Sequence, residues 1–432
     1  MGKNKLGVWI VGALGNDATL AVVGVEAMKA GLADRTGLVT ELADFKGLGL
    51  ANPDDFVFGG HEVREGDLVR SAAEYVRDNG VPTGELLAKL EPRLRAVSRE
   101  IRMGTVSGCG EAIRAMASPA ARRDAAPLRQ QVRDLQADLL DFKKRNGLER
   151  VVVVNLASTE PAIDPPPEFA SLGAFERLID ANPRNVVPAS VLYAYAALDL
   201  GCPHINFAPS LGCSVPALDE LSRRRGAPHM GKDGKTGETL LKTVLAPMFQ
   251  ARNLRILSWE GHNLLGNRDG EILHHPENNL AKVRDKDIVK KLLGDKAHSR
   301  VRVDYCPSLQ DWKTAWDFIH FEGFLGTKMR LHFIWEGNDT MLASPLVLDL
   351  VRLADLAQRR GESGSMPQAA GFFKTPYLVD EIAFPAQMEM LRAYARKAAE
   401  TPAAKPSGEG AAKAPAPVKA GAKKKVATKS AK

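Results

Sequence analysis

Leu6 to Val11 is an apolar run of strand length that breaks into Gly12-Ala13-Leu14-Gly15-Asn16-Asp17, and Thr19 to Ala30 then reads as a helix. Strand, glycine turn and helix open a doubly wound α/β domain, in which each parallel strand needs a helical crossover to reach the next. The N–H groups at the start of such a helix suit a pyrophosphate, although the same turn also serves as a tight βα connection with no ligand. The alternation continues. Phe56 to Phe58 predicts a second strand ending in a Gly59-Gly60-His61-Glu62 turn. Leu128, Val132, Leu135, Leu139 and Phe142 fall on one helical face. Val151 to Val154 is an unbroken apolar run, as a parallel strand buried on both faces requires. The polar loop after it, Asn155 to Glu160 with Ser158 and Thr159, stands at a strand's carboxyl end, where α/β proteins hold ligands. A helix over Ser190–Leu198 and a strand over His204–Phe207 complete one α/β domain of about 220 residues.

Past Gly231 the texture changes. Glycine-rich polar phrases alternate with β-like runs at Arg255–Trp259, Val301–Tyr305 and Met329–Trp335. A helix over Pro345–Arg359 and another running through Ala398 follow. The net charge of +7 resides in the segment from Thr401 to Lys432, which holds eight Lys against one Glu, so the rest of the chain is balanced. Nothing global marks that body as a nucleic-acid binder. The Ala/Lys/Pro-rich tail over 399–432 is expected to be disordered, and its lysines suit anionic partners. Cys109, Cys202, Cys213 and Cys306 form no CxxC pair and read as free thiols. No apolar run approaches the roughly 18–20 residues that span a bilayer. A cytoplasmic protein with no membrane partner is the expectation.

Two glycine-hinged phrases carry candidate chemistry. Gly231-Lys232-Asp233-Gly234-Lys235-Thr236-Gly237-Glu238-Thr239 leads into a helix over Leu240–Phe249. It offers an anion site of backbone N–H groups and hydroxyls, or a capped helix after a surface turn. It is not a P-loop, since the spacing differs and no apolar strand immediately precedes it. Asn263 to Gly270, with Asn267 and Asp269, brings amides and a carboxylate onto turns that those residue types also form for structural reasons.

Together with Pro188-Ala189-Ser190, Gly201-Cys202-Pro203 to Pro209, Val215-Pro216-Ala217-Leu218, Asp311 to Phe318, Ala343-Ser344-Pro345-Leu346 and Phe373-Lys374-Thr375-Pro376, these phrases resemble the myo-inositol-1-phosphate synthase family. The resemblance spans about residues 5 to 398, and its wording is similar to the compact archaeal and bacterial branch. It implies a Rossmann-like NAD-binding domain over 1–230 with 351–398, and a mixed α/β catalytic and tetramerisation domain over 231–350. The implied activity is a redox-neutral isomerisation of D-glucose 6-phosphate by oxidation, enolisation, intramolecular aldol closure and reduction on one bound NAD. A net sugar-phosphate dehydrogenase and a non-catalytic NAD-binding scaffold are the rival readings.

The resemblance also implies roles. Catalysis falls to Lys282, Lys286, Lys313, Lys374 and Asp269. Substrate binding falls to Thr236, Gly237, Glu238, Thr239, Asn263 and Asn267. The cofactor set is Gly12, Ala13, Leu14, Gly15, Asn16, Asp17, Glu62, Ser158, Thr159, Asp233 and Asp339. A divalent or monovalent cation is admitted as a further cofactor, with no ligands named, and a homotetramer is expected. On the residues themselves, Lys282 and Lys286 read either as a solvated face beside Arg284 and Asp285 or as a pair around an anion. Lys313, beside Trp312 with Trp316 and Phe318 close by, and Lys374, after two phenylalanines, suggest buried stems. Glu238 stands where Gln is common in eukaryotic members; a carboxylate beside a phosphate is unfavourable, so it is expected to point away or to bind a cation. His61-Glu62 replaces a common Trp-Asp and keeps a carboxylate for ribose hydroxyls.

Overall fold

The computed structural model describes residues 5–121, 126–183, 185–267, 270–271, 288, 291 and 297–400. The expected site residues Asp269, Lys282 and Lys286 and the tail from 401 lie outside the described residues. The chain begins with β1 (Leu6–Val11), α1 (Asn16–Lys29), β2 (Phe56–Glu62), α2 (Leu68–Asn79), α3 (Gly84–Ser98) and β3 (Ile101–Met103). It continues through α4 (Glu111–Met116), α5 (Leu128–Arg145), β4 (Arg150–Asn155), α6 (Leu172–Ala181), α7 (Ala189–Asp199), β5 (His204–Asn206), α8 (Pro216–Arg225) and β6 (Pro228–Gly231). After α9 (Glu238–Ala251) come β7 (Arg255–Leu265), β8 (His298–Tyr305), β9 (Trp312–Glu322) and β10 (Lys328–Asn338). Then α10 (Asp339–Arg359), β11 (Gly364–Ser365) and α11 (Phe384–Glu400) bring the chain back to where it began.

Seven parallel strands form one sheet in the order β11-β6-β5-β4-β1-β2-β3. Period-two alternation splits its core. Val8, Ile10, Val152 and Val154 face α1, α3 and α10, while Trp9, Val11, Val151 and Val153 face α5 and α7. The strand order reverses between β1 and β4, so a crevice opens at their carboxyl ends. The second sheet, β10-β9-β7-β8, is antiparallel except for the β7–β8 pair. Phe249 of α9 packs on Trp259 and Phe321 to close one of its faces.

Some boundaries differ from the sequence expectation for physical reasons. Gly59-Gly60-His61-Glu62 is strand rather than turn. A Cβ on Gly60 would stand 2.2 Å from the Ile10 carbonyl oxygen, so the glycine lets β1 come close. A short strand does precede the Gly231 loop: Pro228-His229-Met230-Gly231 is fully buried, but four residues with a histidine do not read as an apolar run. β9 is not legible as a strand because its alternation is inverted. Lys313 and Asp317 point inward, while Trp312 and Trp316 are about two-fifths exposed. Pro345 reads as a helix start, yet α10 begins at Asp339, with Asn338 capping the Met341 N–H, and lies on the seven-stranded sheet from Ala343 onward.

Candidate active site

The glycine turn is built for close approach. Gly12 has φ +84°, and a Cβ there would meet the Ala157 backbone at 2.8 Å, so only glycine fits between β1 and the loop after β4. The N–H groups of Gly12 and Ala13 donate to the His61 carbonyl, and Leu14 N–H donates to Glu62 Oε2 at 2.8 Å. Glu62, at the end of β2, also accepts from the N–H groups of Val63 and Arg64 at 2.9 and 3.1 Å. Asn16 and Asp17 form the first turn of α1, whose leading N–H groups have no intrahelical acceptor. Opposite them Asn155 Nδ2 donates to Asn206 Oδ1 at 2.9 Å, fixing the loop that carries Ser158 and Thr159.

From this turn an open cleft runs along the carboxyl ends of the strands. Gly12, Gly15, Asn16, Asp17, Glu62, Ser158 and Thr159 line one end; Asp233, Thr236, Asn267, Asp339 and Lys374 line the other. Two groups on its wall were not singled out from sequence. Glu160 accepts from Ser190 N–H at 2.9 Å and from the Ser190 hydroxyl, and burial pushes its carboxyl up to about 7. Tyr193 OH lies 2.7 Å from the Thr105 N–H. The polar loop at the end of β4 was legible; its pairing with Ser190 of α7 was not.

The Gly231–Thr239 loop is buried rather than a surface turn. Asp233 adopts φ +60°, Gly234 bridges Phe373, and Lys374 N–H donates to the Asp233 carbonyl at 2.7 Å. This pairing brings Lys374 Nζ within 2.7 Å of Asp233 Oδ1. Lys374 is itself buried, as its place after two phenylalanines leads one to expect. Lys235, one strand-step away, donates to Gln387 Oε1 of α11 at 2.5 Å. Burial, reinforced by the charge of Lys374, pushes its amine down to about 7.

Thr236 donates through its hydroxyl to Asp339 Oδ1 at 2.7 Å, and Lys313 Nζ stands 3.7 Å from Asp339 Oδ2. Lys313 is buried through the inward face of β9, not through stacking on Trp312 and Trp316, which lie on the other face. Asn267 reaches the cleft and donates to Asp311 Oδ1 at 2.7 Å. Glu238 and Asn263 face elsewhere. Glu238 accepts from Lys242 at 2.5 Å and from Asn263 Nδ2 at 2.6 Å, inside a cluster with Asp317, which takes the Trp259 indole N–H at 2.6 Å. The cation expected for Glu238 is thus the protein's own Lys242, one helical turn on. Burial and the Glu238 charge push Asp317 up to about 7. Gly237 precedes α9 and Thr239 sits in its first turn, buried. Among the described residues no three His, Cys, Asp or Glu side chains gather as a metal cluster.

Comparison with known proteins gives this arrangement its relatives. A family model described as myo-inositol-1-phosphate synthase matches residues 6–396. Inositol-3-phosphate synthase 1 of Bacteroides thetaiotaomicron is 36% identical over 406 residues, covering 86% of this chain and 89% of the relative. Inositol-3-phosphate synthase of Spirodela polyrhiza is 28% identical, with 82% and 75% covered. Among solved structures, inositol-3-phosphate synthase from Caenorhabditis elegans superposes with a TM-score of 0.81 at 24% identity, covering 92% of this chain and 86% of the other. A myo-inositol-1-phosphate synthase-related protein from Thermotoga maritima gives 0.72 at 23%, with 91% and 98% covered. At those identities the two structures speak for the fold.

Proposed function

This chain belongs to the myo-inositol-1-phosphate synthase family, and from that premise we propose how its cleft works. The protein converts D-glucose 6-phosphate into 1D-myo-inositol 3-phosphate, a redox-neutral isomerisation that uses NAD. NAD, when bound, takes up hydride in the oxidation and gives it back in the final reduction. The residues fit such a cofactor: Gly12 and the start of α1 leave room and N–H groups for a pyrophosphate, and Glu62 offers a carboxylate at the end of β2 for ribose hydroxyls.

The single observation that carries the reading is the continuity of the cleft from the Gly12 turn to the Asp233–Lys374 pair. Lys374 accepts the proton of the C5 hydroxyl during oxidation, with Asp233 orienting its amine. Lys313 stabilises the developing enolate oxygen from its place beside Asp339. Lys282 serves as the base at C6, Lys286 pairs with the substrate phosphate, and Asp269 orients the sugar hydroxyls. Thr236, Gly237 and Thr239, around the start of α9, hold that phosphate, and Asn267 adds an amide donor. Ser158, Thr159 and Asp339 complete the cofactor's walls. Glu238 and Asn263 support the site from beneath α9 through Lys242.

A divalent or monovalent cation enters this reading as a counter-ion to the substrate phosphate, and turnover after chelation and re-addition tests it. The working form is a cytoplasmic homotetramer. Among the described residues no helix is long and apolar enough to cross a membrane. The lysines beyond Thr401 meet an anionic partner, so a chain ending at Thr401 keeps its turnover. The deciding experiment is to incubate the protein with glucose 6-phosphate and NAD and follow the product by phosphorus NMR. Inositol phosphate without net NADH is expected. Accumulating NADH would make the protein a dehydrogenase, and no turnover at all would leave a cofactor-binding scaffold.

A further inference from the structure

Asp311 lies just before β9, 1% exposed, between the two bodies of the fold. Its side chain accepts from Asn267 Nδ2 at 2.7 Å on Oδ1 and from the Thr340 N–H at 2.9 Å on Oδ2. The Asp311 carbonyl takes the Asp339 N–H at 3.1 Å. Across the body boundary, the Tyr75 hydroxyl of α2 stands 2.7 Å from Asp311 Oδ2 and 2.6 Å from Asn338 Oδ1.

Those last two distances pose a proton count. A phenol has one proton, and it cannot serve two acceptors at once. Asn338 Oδ1 also takes the Met341 N–H at 3.0 Å as the cap of α10; its Nδ2 is then a buried donor with no acceptor, but turning the amide over would set that NH₂ group against the Met341 N–H. The Tyr75 proton therefore belongs to Asn338. Asp311 Oδ2, left 2.7 Å from a phenol oxygen whose proton is spent, needs a proton of its own.

We propose that Asp311 is a positioning residue that works as a neutral carboxylic acid, donating to Tyr75 while its two oxygens hold Asn267 and the first turn of α10. The proposal rests on the reading of the cleft given above, because Asn267 and Asp339 are the groups it aims. The charged and titratable groups around it agree. Asp339 on α10 carries the negative charge, beside Lys313 on β9, and Tyr75 faces it from α2. Burial, with the charge of Asp339 added, raises the Asp311 carboxyl above its ordinary range. Asparagine is a poor substitute, since whichever way its amide turned, the NH₂ group would meet a donor from Asn267 or from Thr340.

The test is isotope-edited infrared spectroscopy of the ligand-free protein with aspartate labelled at its carboxyl carbon. At neutral pH the wild-type minus Asp311→Asn difference spectrum should contain the carbonyl stretch of a neutral carboxylic acid, whatever Asp317 and Asp349 add to both. Tyr75→Phe should shift that stretch, because the acid loses its acceptor. Asp311→Asn should also lower kcat by roughly 10²-fold, as misplaced catalytic groups do. A carboxylate signature in place of the acid stretch would overturn the proposal. So would a Tyr75→Phe spectrum identical to wild type, which decides the matter if Asp311→Asn does not fold. If the acid stretch is present but no inositol phosphate forms, the protonated carboxyl stands and the functional reading falls.

Discussion

Lys374 and Asp233 meet because a backbone bridge aligns them, so their 2.7 Å contact belongs to the folded loop and not to two flexible side chains. Removing the amine takes away a positioned proton acceptor, which typically lowers a rate by about 10² to 10⁴. Lys374→Ala should therefore fail to reduce NAD in a single turnover, seen in stopped flow as no rise at the nicotinamide absorbance band. Glu160 makes a different prediction. Its folded pKa of about 7 lies above the ordinary 4.5, so the folded chain keeps a proton that the unfolded chain has released. The stability it contributes is full below pH 4.5 and falls as pH rises to about 7. Glu160→Gln should flatten that slope, worth on the order of 3 kcal/mol, in urea melts taken across the window. The two residues also differed in legibility. Lys374 follows two phenylalanines, a local signal of burial, whereas Glu160 gains its partner from Ser190, thirty positions away, which no spacing rule reveals.

At the scale of elements, β9 shows where sequence patterning fails. A strand with tryptophans outward and a lysine and an aspartate inward defeats the rule that apolar positions mark the core. The inversion exists because Asp317 and Lys242 share a buried polar cluster with Glu238, Asn263 and Trp259, and Lys313 reaches Asp339. By contrast the β1 turn, the β4 run and the α5 stripe were legible, since each is set by local sterics or by a single apolar face. Lys242 balances two buried carboxyl groups. Lys242→Met should destabilise the fold by about 3–5 kcal/mol, the range for breaking a buried ion pair from one side, measured by chemical denaturation near neutral pH. Asp317→Asn should cost less, because burial and the Glu238 charge already raise that carboxyl above its ordinary range and so favour its neutral form.

For the whole molecule, the face of the second sheet turned away from α9 sets Trp316 beside Ile334, the latter 66% exposed, with Phe324 and Leu325 bare at the hairpin tip. In the proposed tetramer a second copy covers this face. Ile334→Glu should lower the mass seen in sedimentation while each subunit keeps its secondary structure; an unchanged mass would move the interface elsewhere. The return of the chain to its first sheet has a consequence for synthesis. Strands β4 and β5 are complete by residue 206, but α10, the helix that packs on one of their faces, starts at Asp339. At the usual ribosomal pace of about 5–20 residues per second, Val152, Val154 and Ile205 wait roughly ten to forty seconds for Leu350 and Val351 to emerge. The nascent protein thus carries an open apolar face through that interval, and chaperones that hold such faces have their widest opportunity before α10 emerges.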